Sequence, residues 1–431
     1  MTGSGTLGVI RGAALYVGAL VGPGLLLVPA LAVEAAGPAS IVAWVGLLVL
    51  SAPLAITFAA LGARLPIAGG VAAYVREGLG ERAGGVTGAC FVATSLLGAP
   101  AVSLIGGYYV ADLTGRGRAT AALVGLAMFA VVVAANALGL RVASSLQVVL
   151  SSALVGVVLV AVLAALPSHG SHGWRPFAPR GWWAVGSAAN ILMWLFIGWE
   201  AMAQLVGEFR DPARQLRRAV ALAFAVIAIL YVGLALATIT TATHSSKVPL
   251  ADLLAVGFGP VGRDVAAGLA VALTTGTMNV YMGGSARLAA HLARESVLPA
   301  WLGRGAPRSV PLRPLVALVV ADALLTPALA AGAVSAATLV RSTSACFVAV
   351  YVLALASATR ILDGTTHVLA AVALALVSVV AVFSGPYLAV PVAVAALTVG
   401  GQTARRRRVV PASSSSSDST GSATNVVTRL I

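Results

Sequence analysis

Long apolar stretches separated by short polar ones fill the chain from about residue 9 to residue 402. A helix needs about 20 predominantly apolar residues to cross the hydrocarbon core of a bilayer. Windows of that length fall near 9–33, 39–63, 86–112, 119–140, 144–166, 183–206, 217–243, 261–288, 314–332, 335–358, 366–384 and 387–402. The pattern predicts an all-α membrane protein of about twelve transmembrane helices. The last two spans are divided only by Gly385-Pro386, so eleven is the alternative. No small-residue cleavage site follows the first run, which is expected to remain as a helix.

Two of these spans carry interruptions. The first contains Gly22-Pro23-Gly24 in succession at membrane depth. Pro23 removes a backbone donor and clashes with the preceding turn, and the flanking glycines weaken the helix, so the helix is expected to break there. A break in lipid is tolerated only where the freed backbone groups are buried in protein or line a cavity, which makes this stretch a candidate binding site. The sixth span carries Trp194-Leu-Phe196-Ile-Gly198-Trp199-Glu200. Gly198 marks a second possible break. Glu200 is a carboxylate near mid-span, where an ionisable group faces a cavity, a partner or a proton path, or bonds a neighbouring helix. Two interrupted helices, opening two blocks of opposite orientation, form the pattern of an inverted-repeat transporter with its site at the midplane.

Composition agrees: 59% of residues are hydrophobic, 9% are charged and the mean hydropathy is +0.99. The net charge of +14 raises a nucleic-acid reading, which the placement of the charges excludes. Of the 27 basic residues, all arginine except Lys247, twenty fall on one side when the loops are numbered alternately, six on the other, and Arg341 lies inside a span. This is the positive-inside pattern, and it puts both termini in the cytoplasm. The arginine run 405–408 ends the last span as an anchor or a contact for anionic headgroups. A Ser-rich stretch at 411–425 is expected to be a disordered tail. One transmembrane domain therefore covers 1–402, with blocks at about 9–166 and 183–358, a hairpin at about 366–402, and a tail from 403 to 431.

The remaining polar groups are sparse. Cys90 and Cys346 lie in apolar segments and read as small packing residues. Ser95, Ser103, Ser144, Ser145, Gln147, Ser151 and Ser152 fit packing better than a transport path. His169 and His172 lack a third ligand for a metal, and His244, His291 and His367, at span ends, are expected to be solvated bystanders. Asn279 and Tyr281 bring hydrogen-bonding groups to the middle of the eighth span. Asp322 is an isolated intramembrane charge that could serve a proton step, and Arg341 either snorkels to the outer surface or has a function. No cofactor or metal site is implied.

These residues resemble a known family. The motifs Gly18-x-x-x-Gly22-Pro-Gly24, Pro66-x-x-Gly69-Gly70-x-x-x-Tyr74, Trp194-x-Phe196-x-Gly198-x-Glu200 with Glu208…Asp211-Pro212, and Ser285-x-Arg287…Arg294-Glu295…Leu298-Pro299 look like those of the amino acid–polyamine–organocation permeases. They cover about residues 10 to 300 in order, and residues 194–219 look most like the bacterial amino-acid efflux branch, which includes exporters of methionine and branched-chain amino acids. The resemblance implies a five-plus-five inverted repeat with broken helices 1 and 6, two additional C-terminal helices, and alternating access. It implies that amides around Gly22, Pro23 and Gly24 receive the substrate carboxylate, and that carbonyls near Val21 and at Phe196, Ile197 and Gly198 receive its ammonium. By the same resemblance Trp194 is a gate, Glu200 takes part in proton-linked gating, and Tyr281 meets the substrate. Pro23 departs from the glycine motif and removes one amide, and the fifth span has no lysine to stand in for a sodium ion.

The expected function is proton-linked efflux of small apolar amino acids (Leu, Ile, Val, Met) across the cytoplasmic membrane, with the amino acid, protons and the bilayer as partners and no nucleic acid. An importer or exchanger of the same fold is the alternative. An intramembrane enzyme or a channel is remote, because no H-E-x-x-H, paired aspartates or pore-lining ring is present.

Overall fold

The computed structural model describes residues 7–65, 70–138, 144–165, 174–200, 203, 206–209, 212–241, 246–305 and 310–409. Among them all regular structure is helical apart from one isolated parallel bridge between Leu7 and Phe209. Helix α1 (Val9–Leu20) is joined to α2 (Val28–Ala36) by a 3-10 turn, Pro23–Leu26. Then come α3 (Ser40–Arg64), α4 (Gly70–Leu79), α5 (Glu81–Leu113), α6 (Arg118–Ala137) and α7 (Ser144–Ala165). Helix α8 (Trp183–Met193) runs into a second 3-10 turn, Trp194–Phe196. The chain continues through α9 (Pro212–Thr240), α10 (Pro249–Arg294), α11 (Leu312–Ala331), α12 (Ala336–Ile361), α13 (Gly364–Ser384) and α14 (Ala389–Val409).

Nine helical stretches among the described residues are long and apolar enough to cross a membrane, and Val9–Leu20 and Trp183–Phe196 are shorter apolar helices. The two short ones fall in the spans expected at 9–33 and 183–206, where the sequence carries its interruptions. Two of the nine stretches, Val28–Arg64 and Gly364–Thr403, each contain a pair of helices. The pairs are divided at Gly37-Pro38 and Gly385-Pro386, where the glycine takes a positive φ and the proline cannot continue the ladder. The span expected at 261–288 belongs to the longer α10, which bends at Gly259-Pro260.

Helices α5 and α12 form the centre, with 78% and 72% of their most apolar windows buried, against 28% for α7, α11 and the α13–α14 stretch. The outer helices present Leu123, Leu163, Ile229 and Leu324 outward, each more than 60% exposed. A shell of such side chains is stable against lipid and unfavourable against water.

Polar contacts cluster at the two ends of the bundle. At one end the amphipathic α4 buries Val71, Tyr74 and Val75 and is docked on α12, where Ser357 Oγ donates to the Tyr74 carbonyl (2.5 Å) and Arg360 to that of Gly78 (3.2 Å). Arg76 pairs there with Glu81 (2.9 Å) and Glu295 (2.7 Å), and Arg64 with Asp363 (3.3 Å). At the other end Arg263 of α10 bridges Asp112 of α5 (2.8 Å) and Asp252 of α10 (2.5 Å). Lys247 lies 5.0 Å from the Tyr108 ring centroid. Its pKa is lowered by burial and then by the Arg118 charge, with Glu34 opposing.

Several sequence expectations meet the structure here. His291 and His367 are exposed, as expected, and each makes one local surface contact: His291 faces Glu295 (3.2 Å) and a His367 ring nitrogen lies 2.8 Å from the Thr359 carbonyl. Ser95 and Ser103 behave as packing groups, bonded to Ser285 and to the Pro100 carbonyl, while the buried Ser151 hydroxyl has no partner among the described residues. Arg341 donates to Ser187 (2.6 Å) and lies 5.7 Å from the Tyr387 ring centroid, held between α8 and the α13–α14 turn. Pro66 to Gly69, Arg141, His169, His172, Arg210, Asp211, His244, Arg308 and the tail from 410 lie outside the described residues, as do the side chains of Ser144, Ser145 and Arg405 to Arg408.

Candidate functional site

Both expected breaks are present and they face each other. Helix α1 stops at Leu20. Val21 is extended, as is Gly22 (φ −131°, ψ −176°), and the chain then enters the 3-10 turn with Pro23 at its first position. That is where proline fits, because the first residues of a helix have no intrahelical acceptor for their N–H groups. The first bond of the turn runs from Leu25 N–H to the Gly22 carbonyl (3.1 Å), so the amides of Gly22 and Gly24 precede it and are not consumed by the turn. In α1 the Val17 carbonyl accepts from Val21 N–H (2.8 Å), while Gly18 and Ala19 stand in the last turn without a following helical amide.

The second break starts at the 3-10 turn after α8. Ile197 is extended (φ −86°, ψ 137°) and Gly198 has φ 129°. A Cβ at Gly198 would lie 2.8 Å from the Ala19 carbonyl oxygen, and one at Gly24 would lie 2.6 Å from Leu195 Cδ2. The breaks therefore touch at two points, and at Gly198, with its positive φ and the α1 backbone against it, no side chain fits.

One buried tyrosine ties them together. The Tyr231 hydroxyl of α9 lies 2.7 Å from the Leu195 carbonyl and 3.1 Å from the Leu20 carbonyl. Its ring packs edge-on against Trp44 (5.3 Å) and Phe196 (5.1 Å). Tyr109 of α5 donates to the Leu26 carbonyl at 2.9 Å, and Trp199 Nε1 donates to Ser51 at 3.1 Å. Buried carbonyls freed by a break need such partners, since an unmade bond costs more than a made one yields.

Glu200 turns back onto its own break. Its Oε2 accepts from Tyr351 (2.5 Å) and from the Gly198 N–H (2.9 Å). The carboxylate thus reads the geometry of Gly198 directly, and Tyr351 connects it to the central α12.

Between the breaks lies a cavity of about 300 Å3, the lower end of the range for small-molecule sites. Val21, Gly22, Pro23, Gly24, Trp194, Ile197 and Tyr281 line it, as expected from the sequence. Apolar walls come from Val102, Leu195 and Met278. Val280 and Tyr281 remain 51% and 36% exposed, so the cavity is not sealed on their side.

Three of the residues expected to meet the substrate do not line it. Phe196 is fully buried in the aromatic cluster behind the break, and Gly198 is backed by α1. Asn279 accepts from Asn136 of α6 (2.6 Å) and joins two helices. Asp322 is elsewhere on α11, 1% exposed, with neither carboxylate oxygen hydrogen-bonded among the described residues.

Sequence reading missed three polar lining residues, Gln147, Thr277 and Thr343. Gln147 Oε1 and Thr277 Oγ1 are buried without a partner among the described residues. The signal for Gln147 was its place among the serines that open the fifth span; nothing distinguished Thr277 from a packing threonine.

A family model described as amino acid permease matches residues 7–403. The chain belongs to the amino acid permease family. Among curated relatives of this permease is the uncharacterized amino acid permease YecA of Bacillus subtilis, 30% identical over 82% of this chain and 84% of the relative. The L-methionine/branched-chain amino acid exporter YjeH of Escherichia coli is 28% identical over 85% of this chain and 88% of its own length. The branched-chain amino acid permease BcaP of B. subtilis is 25% identical over 68% of each chain. The expected superfamily is therefore correct, and the permease is a multi-pass membrane protein of amino-acid transport. Its relatives carry the names of transporters, which accords with a transporter and not an enzyme.

Proposed function

We propose that this permease exports small apolar amino acids by alternating access, coupled to protons. One observation carries the reading: the two broken stretches, 18–24 and 194–197, both line a cavity of about 300 Å3, so helix-start amides and helix-end carbonyls border the same space. Helix N-terminal amides favour an anion and C-terminal carbonyls a cation, so a zwitterionic amino acid satisfies both. The carboxylate is received at Gly22 and Gly24, with the amide missing at Pro23. The ammonium is received by carbonyls at the end of α1 near Val21 and at Ile197. The side chain meets Val102, Trp194, Leu195 and Met278, with Tyr281 closing the contact. These apolar walls, and relatives named for methionine and branched-chain amino acids, support Leu, Ile, Val or Met as substrate.

The layout that goes with this reading is a five-plus-five inverted repeat. The two broken helices open the repeats, α13 and α14 follow as an added hairpin, and both termini are cytoplasmic on the arginine distribution. Glu200 is the proton-linked gate, because its carboxylate is hydrogen-bonded to the break it would control. Asp322 is the second proton-carrying candidate, since an uncompensated charge at that depth is expensive and, where retained, functional.

Counterflow in proteoliposomes tests the proposal, using labelled amino acids across imposed pH and sodium gradients. Movement of Leu, Ile, Val or Met that follows the pH gradient is expected. If no amino acid moves, the transport reading is lost; movement that follows sodium alone removes proton coupling; and uptake in cells, in place of raised external substrate, makes the permease an importer.

A further inference from the structure

A second groove, of about 340 Å3, lies away from the substrate cavity between α3 and α9. On the α3 side it is lined by Ala52, Ala55 and Ala59, facing Ala221 and Phe224 of α9, and its one charged lining residue is Arg217. Ala52 and Ala221 are exposed, so the groove opens to the surroundings of the bundle. Along α9, Phe224 stands seven residues beyond Arg217, about 10 Å at the helical rise. Along α3, Ala52 stands twelve residues before the terminal Arg64, about 18 Å, close to half of a hydrocarbon core of about 30 Å. The groove thus spans one leaflet, from a basic rim to near the midplane.

The rim is built for an anion. Arg217 and Arg218 are both exposed, and neither has a hydrogen bond or ion pair among the described residues. Arg64, at the same end, is already paired with Asp363. A guanidinium presents a planar fork that matches phosphate oxygens two at a time, and basic groups at the headgroup level attract anionic lipid. Below the rim the helices leave a space that their own alanines do not fill, and an empty space there forfeits dispersion contacts on every wall.

We infer that the groove binds one anionic phospholipid, with an acyl chain along the alanine face of α3 and the phosphate at Arg217 and Arg218. The site bears on transport through one contact. Phe224 lies 6.4 Å, ring to ring, from Trp199 of the second break, and Trp199 is bonded to Ser51, the neighbour of Ala52. An acyl chain in the groove backs Phe224, the groove residue that packs on this break.

The test is native mass spectrometry of the detergent-purified permease titrated with phosphatidylglycerol or phosphatidylcholine, alongside its thermal unfolding. The wild type is expected to retain phosphatidylglycerol preferentially. Arg217→Gln with Arg218→Gln lowers that retention by roughly 30-fold and leaves phosphatidylcholine unchanged, on about fivefold per arginine. Ala52→Leu with Ala221→Leu fills the groove and removes both lipids. Retention of phosphatidylglycerol that is equal in the wild type and the arginine variant overturns the proposal, as does equal retention in the groove-filling variant. If the leucine variant fails to fold, the arginine variant, altered only at exposed positions, decides the matter alone.

Discussion

Removing the Tyr231 hydroxyl should weaken the site without altering a lining side chain. Tyr231→Phe keeps the ring, and so keeps the edge contacts to Trp44 and Phe196 at 5.3 and 5.1 Å. It deletes the donor that lies 2.7 Å from the Leu195 carbonyl and 3.1 Å from that of Leu20. Both residues are 3% exposed, so little solvent reaches the carbonyls that lose the donor. One hydroxyl has one proton, and the shorter contact takes most of it, so a single orphaned carbonyl is the right count. That costs about 2 kcal/mol, within the usual range of about 1–3 for a buried group losing its partner. The bonded arrangement of the two breaks is then disfavoured by roughly 30-fold. The expected result is a lower thermal midpoint in detergent and an apparent affinity for leucine or methionine weakened by up to that factor, measured by scintillation proximity on the same samples. Because Tyr231 is absent from the cavity wall, the loss acts through the breaks alone. Wild-type affinity together with wild-type stability would refute the idea that this hydroxyl holds the two breaks in register.

Three further outcomes are expected. Glu200→Gln removes the acceptor charge facing Tyr351 and Gly198 and should abolish the pH dependence of transport while exchange remains measurable in counterflow; an unchanged pH profile takes Glu200 out of the coupling. Asn279→Ala breaks the bond to Asn136 but leaves the cavity intact, so substrate affinity should stay within about twofold of wild type while stability falls by about 1 kcal/mol, read by equilibrium binding and thermal unfolding. Arg263→Gln leaves Asp112 and Asp252 facing each other without their shared cation, and should lower the thermal midpoint more than Asp252→Asn does, with the difference shrinking at high salt; salt-independent midpoints would exclude an ionic role for the bridge.

The break at Gly22 was legible because its cause is local. Proline and two adjacent glycines exclude a continuous helix whatever surrounds them, and the structure answers with a 3-10 turn beginning at Pro23. The second break was legible for the same reason at Gly198, although its effect reaches further back, to the 3-10 turn at Trp194. Asn279 shows the limit. A polar residue at mid-span was visible in the chain, but whether it faced the cavity or a neighbouring helix depends on the rotation of α10, and the answer was Asn136. Gln147 failed in the opposite direction, being read with packing serines and found on the cavity wall.

Spacing and composition alone decided the membrane class, the approximate spans and the two interruptions, since each follows from transfer free energy or backbone sterics within a few neighbouring residues. They also carried the family, because its motifs are short and ordered along the chain. Tertiary structure decided which groups meet: Tyr231 with two carbonyls from different breaks, Arg76 of α4 with Glu295, 219 residues away, and Glu200 with Tyr351. Lateral contact between helices is set by how each one is rotated and tilted against its neighbours. In a chain with so few charged residues, a handful of such meetings separates a wall of the site from the scaffold behind it.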